Sequence, residues 1–271
     1  MLAHVLIGID FSDATPRLVA RLHSLRALGV KETTLVHVLS TRYPSAPAVT
    51  HREAYEARLN EIAGEIDPAF TVRTRIETGE PGSVLVQTAG DIEADLILAG
   101  KRGFSRWRGL FLGSTALDLA RLTDRPLWLE PIVPHDDTPT TRFRCVLLAT
   151  DGSDSAKPAE TMFVHLAGRY EQPLAIRVVT SSDDEQKQRE TRDAELTLAG
   201  LAARVDGLET NVVDGEPSNE ISDYAQREDV ELVITGKRGR SSLQGLLLGS
   251  TAEAVCRSSQ RSVLLVPAQH M

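Results

Sequence analysis

A sixteen-residue stretch occurs twice in this chain, at 100–115 and again 136 residues later at 236–251, with 11 of the 16 positions identical. Each copy follows a short apolar run and precedes a segment with the pattern of a helix. A strand, a glycine-containing loop and a helix therefore recur as a unit. This repeat predicts that the chain is built from two copies of one α/β domain.

The repeated loops have the composition of an anion site. Gly100, Gly103 and Gly113 leave no Cβ between the backbone and a ligand. Ser114 and Thr115 lie at the start of the following helix, where a hydroxyl can either cap the helix or bond a phosphate oxygen. The corresponding residues of the second copy are Gly236, Gly239, Gly249, Ser250 and Thr251.

Basic residues cluster in both loops of a chain whose net charge is −8. They are Lys101, Arg102, Arg106 and Arg108 in the first copy and Lys237, Arg238 and Arg240 in the second. The alternative is a tight strand-to-helix turn whose glycines serve packing and whose basic residues are solvated. The near-verbatim repetition, with Ser-Thr retained, favours a phosphate-binding loop.

The pattern Gly-x2-Gly-x9-Gly-Ser, intact in both copies, resembles the nucleotide-binding signature of the universal stress protein family. The resemblance extends to segments 9–12, 35–38, 125–129 and 150–153, and it covers nearly the whole chain as a tandem pair. It implies a strand order of 3-2-1-4-5 in each half. It also implies adenine nucleotide, ATP or else ADP or AMP, as the ligand, with Mg²⁺ as a candidate companion ion.

The resemblance further assigns residues at the nucleoside end of each site. Asp10 and Asp151 match the family's carboxylate beside the nucleoside, and Val38 and Val178 match the residue that presents its backbone to adenine. Taken alone, each aspartate is equally well explained by turn formation or helix capping. The pairing of each with a glycine loop favours the binding role.

Strands alternate with helices throughout, which predicts parallel sheets with helices on both faces. We expect two tandem doubly wound domains, each with a five-stranded parallel sheet, at 1–131 and 143–271. The Pro-rich segment 132–142 is the predicted linker. The alternating third strand of the first half, 71–77, is predicted to lie near a sheet edge.

Composition and motifs exclude several classes of function. The acidic balance argues against general binding of nucleic acid or anionic membranes, and no run of 18 apolar residues is present. The N-terminus reads as a strand and not as a signal peptide, so we expect a cytoplasmic protein. The isolated Cys145 and Cys256 are expected to be reduced and buried, and no histidine spacing indicates a metal site. The P-loop, dinucleotide and GxSxG motifs are absent from the sequence.

These observations favour an adenine-nucleotide-binding stress-response protein that acts as a sensor or regulatory module and not as an enzyme. The expected partners are the nucleotide, an internal pseudo-dimer of the two repeats or a homodimer, and a regulatory protein of unknown identity. A slow ATP hydrolase or phosphotransferase is the alternative, and a scaffold that binds no nucleotide is another. Only Asp10 and Asp151 stand out as candidates for the metal-binding acid that a hydrolase needs.

Overall fold

The computed structural model describes residues 2–41, 52–101, 112–131, 143–240 and 248–268. They form two compact units, which divide the chain into residues 1–141 and 142–271. The predicted linker at 132–142 lies outside the described residues.

The first unit alternates strands and helices from its N-terminus. Its strands are β1 (His4–Gly8), β2 (Glu32–Ser40), β3 (Thr71–Gly79), β4 (Leu96–Gly100) and β5 (Leu127–Glu130). Its helices are α1 (Thr15–Ala27), α2 (Arg52–Gly64), α3 (Pro81–Asp91) and α4 (Ser114–Leu122).

The second unit repeats the same order of elements. Its strands are β6 (Phe143–Ala149), β7 (Tyr170–Val179), β8 (Glu209–Asp214), β9 (Leu232–Gly236) and β10 (Ser262–Val266). Its helices are α5 (Lys157–Leu166), α6 (Asp184–Ala202), α7 (Pro217–Arg227) and α8 (Ser250–Ser258), with a short 3-10 helix at Ala167–Arg169.

Both units carry the predicted strand order and are parallel throughout. In the first unit the order is β3-β2-β1-β4-β5, and in the second it is β8-β7-β6-β9-β10. The fold class predicted from the sequence is therefore confirmed. The strand order reverses between β1 and β4, and between β6 and β9, which is where sheets of this kind bind ligands.

The central strands are buried on both faces, as is typical of parallel sheets covered by helices. Val5, Leu6 and Ile7 of β1 are all fully buried. The spacing of Leu18, Leu22 and Leu25 predicts an apolar stripe on α1, and all three are buried. Strand β3 shows alternating exposure and ends the strand order of its unit, as its sequence alternation predicts.

Four helices begin with proline in the first turn, where its missing N–H costs nothing. One boundary differs in a way that matters for the site. The apolar run near the N-terminus predicts a first strand from Val5 to Asp10, but β1 ends at Gly8. Asp10 therefore lies in the connection to α1, and its side-chain oxygen Oδ1 accepts a hydrogen bond from the Ser12 amide at 3.0 Å.

A buried ion network anchors α1 of the first unit to β5. Glu130 is 1% exposed and accepts hydrogen bonds from Arg17, from two nitrogens of Arg21 and from the Trp128 indole, at 2.8–3.1 Å. The Arg21 guanidinium also lies over the Trp128 ring, 5.5 Å from its centroid. Because each charge is paired, the network holds this edge of the core without leaving a buried charge unsatisfied.

Candidate nucleotide site

The second unit has a cavity of about 260 Å³ where the carboxyl ends of β6, β7 and β9 meet. All seven residues that the sequence nominated in this half line it: Asp151, Val178, Gly236, Gly239, Gly249, Ser250 and Thr251. Strands β6 and β9 are neighbours, and Ala149 pairs with Thr235. This pairing brings Asp151 and the glycine loop to the same end of the sheet. The structure thus gathers residues that are up to 100 positions apart in the sequence.

One wall of the cavity is the N-terminus of α8. The helix begins at Ser250, and the preceding Gly249 is its N-cap, with no side-chain hydrogen bond to the first turn. The equivalent helix α4 begins at Ser114 with Gly113 as its cap, again without a side-chain bond. Ser114 and Ser250 are thus the first helical residues and not the N-caps. The first-turn amides lack intrahelical acceptors and carry the positive end of the helix dipole, which is a suitable environment for an anion.

The glycines of the second loop lie where a side chain would collide with its surroundings. A Cβ on Gly239 would come within 2.5 Å of the Asp151 oxygen Oδ2, and one on Gly236 within 3.0 Å of the Arg238 carbonyl oxygen. A Cβ on Gly249 would meet the Lys237 carbonyl oxygen at 3.3 Å. These close approaches give a physical reason for glycine at all three positions.

Asp151 links the first strand of the unit to the glycine loop. Its Oδ1 accepts a hydrogen bond from the Ser153 amide at 3.0 Å, and its Oδ2 accepts one from the Arg240 amide at 2.6 Å. The carboxylate therefore holds the loop at the cavity while keeping lone pairs for a ligand hydroxyl. Asp10 makes the same turn contact in the first unit, to Ser12.

Both lysines of the repeated motif are buried. Lys101 is 5% exposed and Lys237 is 6% exposed, so neither fits the alternative in which the basic residues are simply solvated. Their backbones close the two loops identically: the Gly113 amide donates to the Lys101 carbonyl oxygen at 2.8 Å, and the Gly249 amide to that of Lys237 at 2.9 Å. Arg238 and Arg240 line the cavity, whereas Arg102, Arg106 and Arg108 lie outside the described residues.

Sequence reasoning missed three polar residues near this cavity. Arg177 on β7 and Glu190 on α6 line it, and Asp193 on α6 binds Arg177 and Arg240. These hydrogen bonds, first from Arg240 and then from Arg177, lower the pKa of Asp193 to about 2. The polar pattern of α6 offered no signal for this role, because most of its charged residues are solvated; only the position of Arg177 next to Val178 pointed to the site.

The first unit places its nominated residues on the equivalent elements. Asp10 follows β1, Val38 lies on β2, Gly100 ends β4, and Gly113, Ser114 and Thr115 begin α4. Strands β1 and β4 are neighbours, so Asp10 and Gly100 lie at the same end of the sheet. Gly103 lies outside the described residues.

The surroundings of Asp10 differ from those of Asp151. Phe11 takes the place of Gly152, and both residues have positive φ, 58° and 71°. The Phe11 ring lies 4.6 Å from His37 and 5.7 Å from Tyr55 between centroids, and His37 donates from Nδ1 to the Ile9 carbonyl oxygen at 2.7 Å. Burial lowers the pKa of His37, against the opposing effects of this hydrogen bond and of the Asp10 carboxylate.

Other expectations concern features away from the cavity. Cys145 and Cys256 are reduced and buried, as predicted, and burial raises the pKa of the Cys145 thiol to about 11. Within the described ranges, no cluster of three metal-ligating side chains occurs. No helix in that part of the chain is both long enough and apolar enough to cross a membrane.

Comparison with known proteins identifies the fold and the repeat. The model of a family described as "Universal stress protein family" matches residues 1–130 and again 142–267. A universal stress protein of Mycolicibacterium smegmatis is 28% identical over 97% of this chain and 96% of its own length. One from Mycobacterium tuberculosis is 26% identical over 96% and 95%. The crystal structure of a universal stress protein from Archaeoglobus fulgidus superposes with a TM-score of 0.76 at 21% identity, covering 97% of this chain and 96% of that one.

Proposed function

The chain belongs to the universal stress protein family, and on that premise we propose that its halves bind adenine nucleotide, ATP or else ADP or AMP, as a regulatory signal. The observation that carries this proposal is the second-unit cavity, which all seven nominated residues line. It lies at the strand-order reversal and faces a helix N-terminus, and both features favour a phosphorylated ligand.

Each group in the cavity has a role suited to its chemistry. The Asp151 carboxylate accepts a hydroxyl of the sugar, and the backbone of Val178 contacts the adenine edge. The first-turn amides of α8, with the hydroxyls of Ser250 and Thr251, hold phosphate oxygens. Gly236, Gly239 and Gly249 let the backbone approach those phosphates. In the first unit the same roles fall to Asp10, Val38, Gly100, Gly103, Gly113, Ser114 and Thr115.

The site is suited to holding a nucleotide and not to turning it over. Backbone amides and hydroxyls bind phosphate equally well in the ground and transition states, and uniform binding does not accelerate chemistry. Among the described residues, Glu190 is the glutamate that lines the cavity, and it accepts hydrogen bonds from the amides of Thr180 and Ser181 at 3.2 and 3.3 Å. These bonds hold Glu190 against the segment that follows β7. Mg²⁺, where present, would accompany the phosphates as a counter-ion.

Nucleotide acts as a signal when it stabilises one loop conformation over another. The glycine loop, bonded to Asp151 through the Arg240 amide, is the element that an entering nucleotide would reorder, and a partner protein would read the changed surface. The regulatory partner, the homodimer and the pairing of the two repeats stay predictions.

The test is to denature protein purified under native conditions and to identify the released nucleotide by chromatography. The proposal expects adenine nucleotide in up to two equivalents per chain. A nucleotide-free preparation that also fails to bind added ATP, ADP or AMP in equilibrium dialysis would favour the scaffold alternative.

A further inference from the structure

We propose that Arg177 and Arg240 form a second anion subsite of the second-unit cavity, for a phosphate on the sugar of a bound nucleotide. In this proposal the Asp193 carboxylate fills the subsite when that phosphate is absent. The inference rests on the proposed function and adds to it a ligand class, nucleotides that carry a 2′- or 3′-phosphate. It depends on residues outside the repeated motif.

The geometry shows two guanidinium groups converging on a single oxygen. Arg177 Nη2 donates to Asp193 Oδ2 at 2.5 Å, and Arg240 Nη2 donates to the same oxygen at 2.7 Å. Both arginines line the cavity. Guanidinium groups match the planar oxygens of carboxylate and phosphate alike. The position of Oδ2 therefore marks where an anionic oxygen of a ligand is held.

Arg177 is anchored independently of Asp193. Its side chain is 4% exposed, and its other terminal nitrogen, Nη1, donates to the Thr197 hydroxyl at 2.7 Å. Arg177 therefore keeps its placement when Asp193 turns away, which makes it the preorganised member of the subsite. The backbone of Arg240 is held at the cavity by the bond from its amide to Asp151, while its half-exposed side chain can follow the ligand.

Asp193 is suited to vacate the position. Its side chain is 52% exposed and projects from α6, so a change of rotamer places the carboxylate in water without moving the helix. An incoming phosphate brings more charge than the carboxylate that it replaces and offers more acceptor oxygens. The exchange thus keeps the buried Arg177 paired at every stage.

The subsite lies at the sugar end of the cavity. Asp151, the proposed partner of the sugar hydroxyls, bonds the backbone of Arg240, whose guanidinium forms the subsite. The 5′-phosphates would lie at the N-terminus of α8, a separate element that follows β9. A phosphate on O2′ or O3′ extends from the sugar hydroxyl edge, so it reaches the arginines while the 5′-phosphates stay with the helix.

The first unit has a different arrangement at the same place. His37 on β2 occupies the strand position that Arg177 has on β7. The Ile9 amide donates to the carbonyl oxygen of Val36, just before His37, and the Thr150 amide donates to that of Ile176, just before Arg177. The His37 ring packs against Phe11 and Tyr55. The subsite is therefore a property of the second repeat, and the two repeats differ in the ligands that they favour.

The test compares three isomeric nucleotides by calorimetric titration of the full chain: ADP, adenosine 3′,5′-bisphosphate and adenosine 2′,5′-bisphosphate. The readout is the ratio of the ADP Kd to the tighter bisphosphate Kd. Arg240→Gln is expected to lower this ratio about tenfold, because one charge-assisted hydrogen bond contributes about that factor to the affinity. Asp193→Asn is expected to raise it about fivefold, because the competing charge is gone. Glu195→Gln removes the same charge from an exposed position of α6 and is expected to leave the ratio unchanged.

A ratio that stays constant in Arg240→Gln, or that falls in Asp193→Asn, overturns the subsite. If ADP binds while the ratio is flat, the subsite fails and the proposed function stands; if no nucleotide binds the parent chain, both fail. Should Asp193→Asn not fold, Arg240→Gln decides alone, since the Arg240 side chain is half exposed and its loss leaves no buried charge unpaired.

Discussion

Replacing Gly239 by alanine tests the loop geometry with a single added carbon. The new Cβ would lie 2.5 Å from Asp151 Oδ2, whereas ordinary van der Waals contact begins at 3.4 Å. The carboxylate must therefore retreat by about 1 Å. The hydrogen bond from the Arg240 amide, 2.6 Å long, would then exceed hydrogen-bonding distance.

The size of the effect follows from what is lost. Asp151 is also the proposed acceptor for the sugar hydroxyl, so its retreat lengthens the bond to the ligand. One hydrogen bond to a charged acceptor contributes about 1.5–3 kcal/mol to an interaction, so nucleotide binding at the second unit is expected to weaken by about tenfold or more. Folding should suffer less, by about 1 kcal/mol, because the loop lies at the surface and water can hydrate the displaced carboxylate. The expected signature is lost affinity at a nearly unchanged midpoint of urea unfolding.

Calorimetric titration with ATP and urea unfolding, both on the full chain, measure the two quantities. Gly200→Ala is the matched control, since a Cβ there meets nothing within 4 Å and Gly200 lies on α6 away from the loop. Equal ATP affinity in Gly239→Ala and the parent would refute the reasoning that this glycine admits the ligand. A loss of several kcal/mol in stability would show that the loop serves packing.

Three further predictions concern stability and chemistry. Glu130→Gln should lower the free energy of unfolding of the first unit by about 3–5 kcal/mol, because Arg17 and the buried Arg21 lose their counter-charge; a change below 1 kcal/mol in urea unfolding would contradict this. Tyr170→Phe should stabilise the second unit by about 1 kcal/mol, since the buried hydroxyl has no hydrogen-bond partner among the described residues; a marked loss of stability would reveal a bond that this hydroxyl makes. Bound ATP with Mg²⁺ should turn over at well below about 1 per second, the low end of ordinary enzymes, and hydrolysis within seconds that Asp10→Ala with Asp151→Ala abolishes would favour an enzyme.

The fold could be predicted because its determinants are local and repeated. Short apolar runs such as 5–7 and 232–235 are typical of strands buried on both faces, and glycines and prolines mark the turns between them. To predict that Asp151 and Gly236 lie close together, the strand order must be known. That order came from the family resemblance and not from the periodicity of the sequence. The predicted ends of the strands were less accurate. The apolar run that predicts β1 leads directly to Asp10, but the hydrogen bonds between the strands stop before this residue.

The ion pairs of Asp193 with Arg177 and Arg240 could not be predicted from the sequence, and the reason is physical. Arg177 is a buried charged residue on a largely apolar strand, marked in the sequence only by its place next to Val178, and Asp193 is one acid among many on a solvated helix. Their pairing depends on how α6 packs against β7, a contact between distant segments. The aromatic packing of Phe11, His37 and Tyr55 was hidden likewise, because Tyr55 comes from α2 and not from the motif.

A crystal structure of the full chain grown with saturating ATP tests the central claim most directly. The account predicts adenine at the backbone of Val178, the sugar against Asp151 and phosphate oxygens at the first-turn amides of α8. An empty second-unit cavity at saturating ATP, or a nucleotide bound elsewhere on the chain, would contradict it.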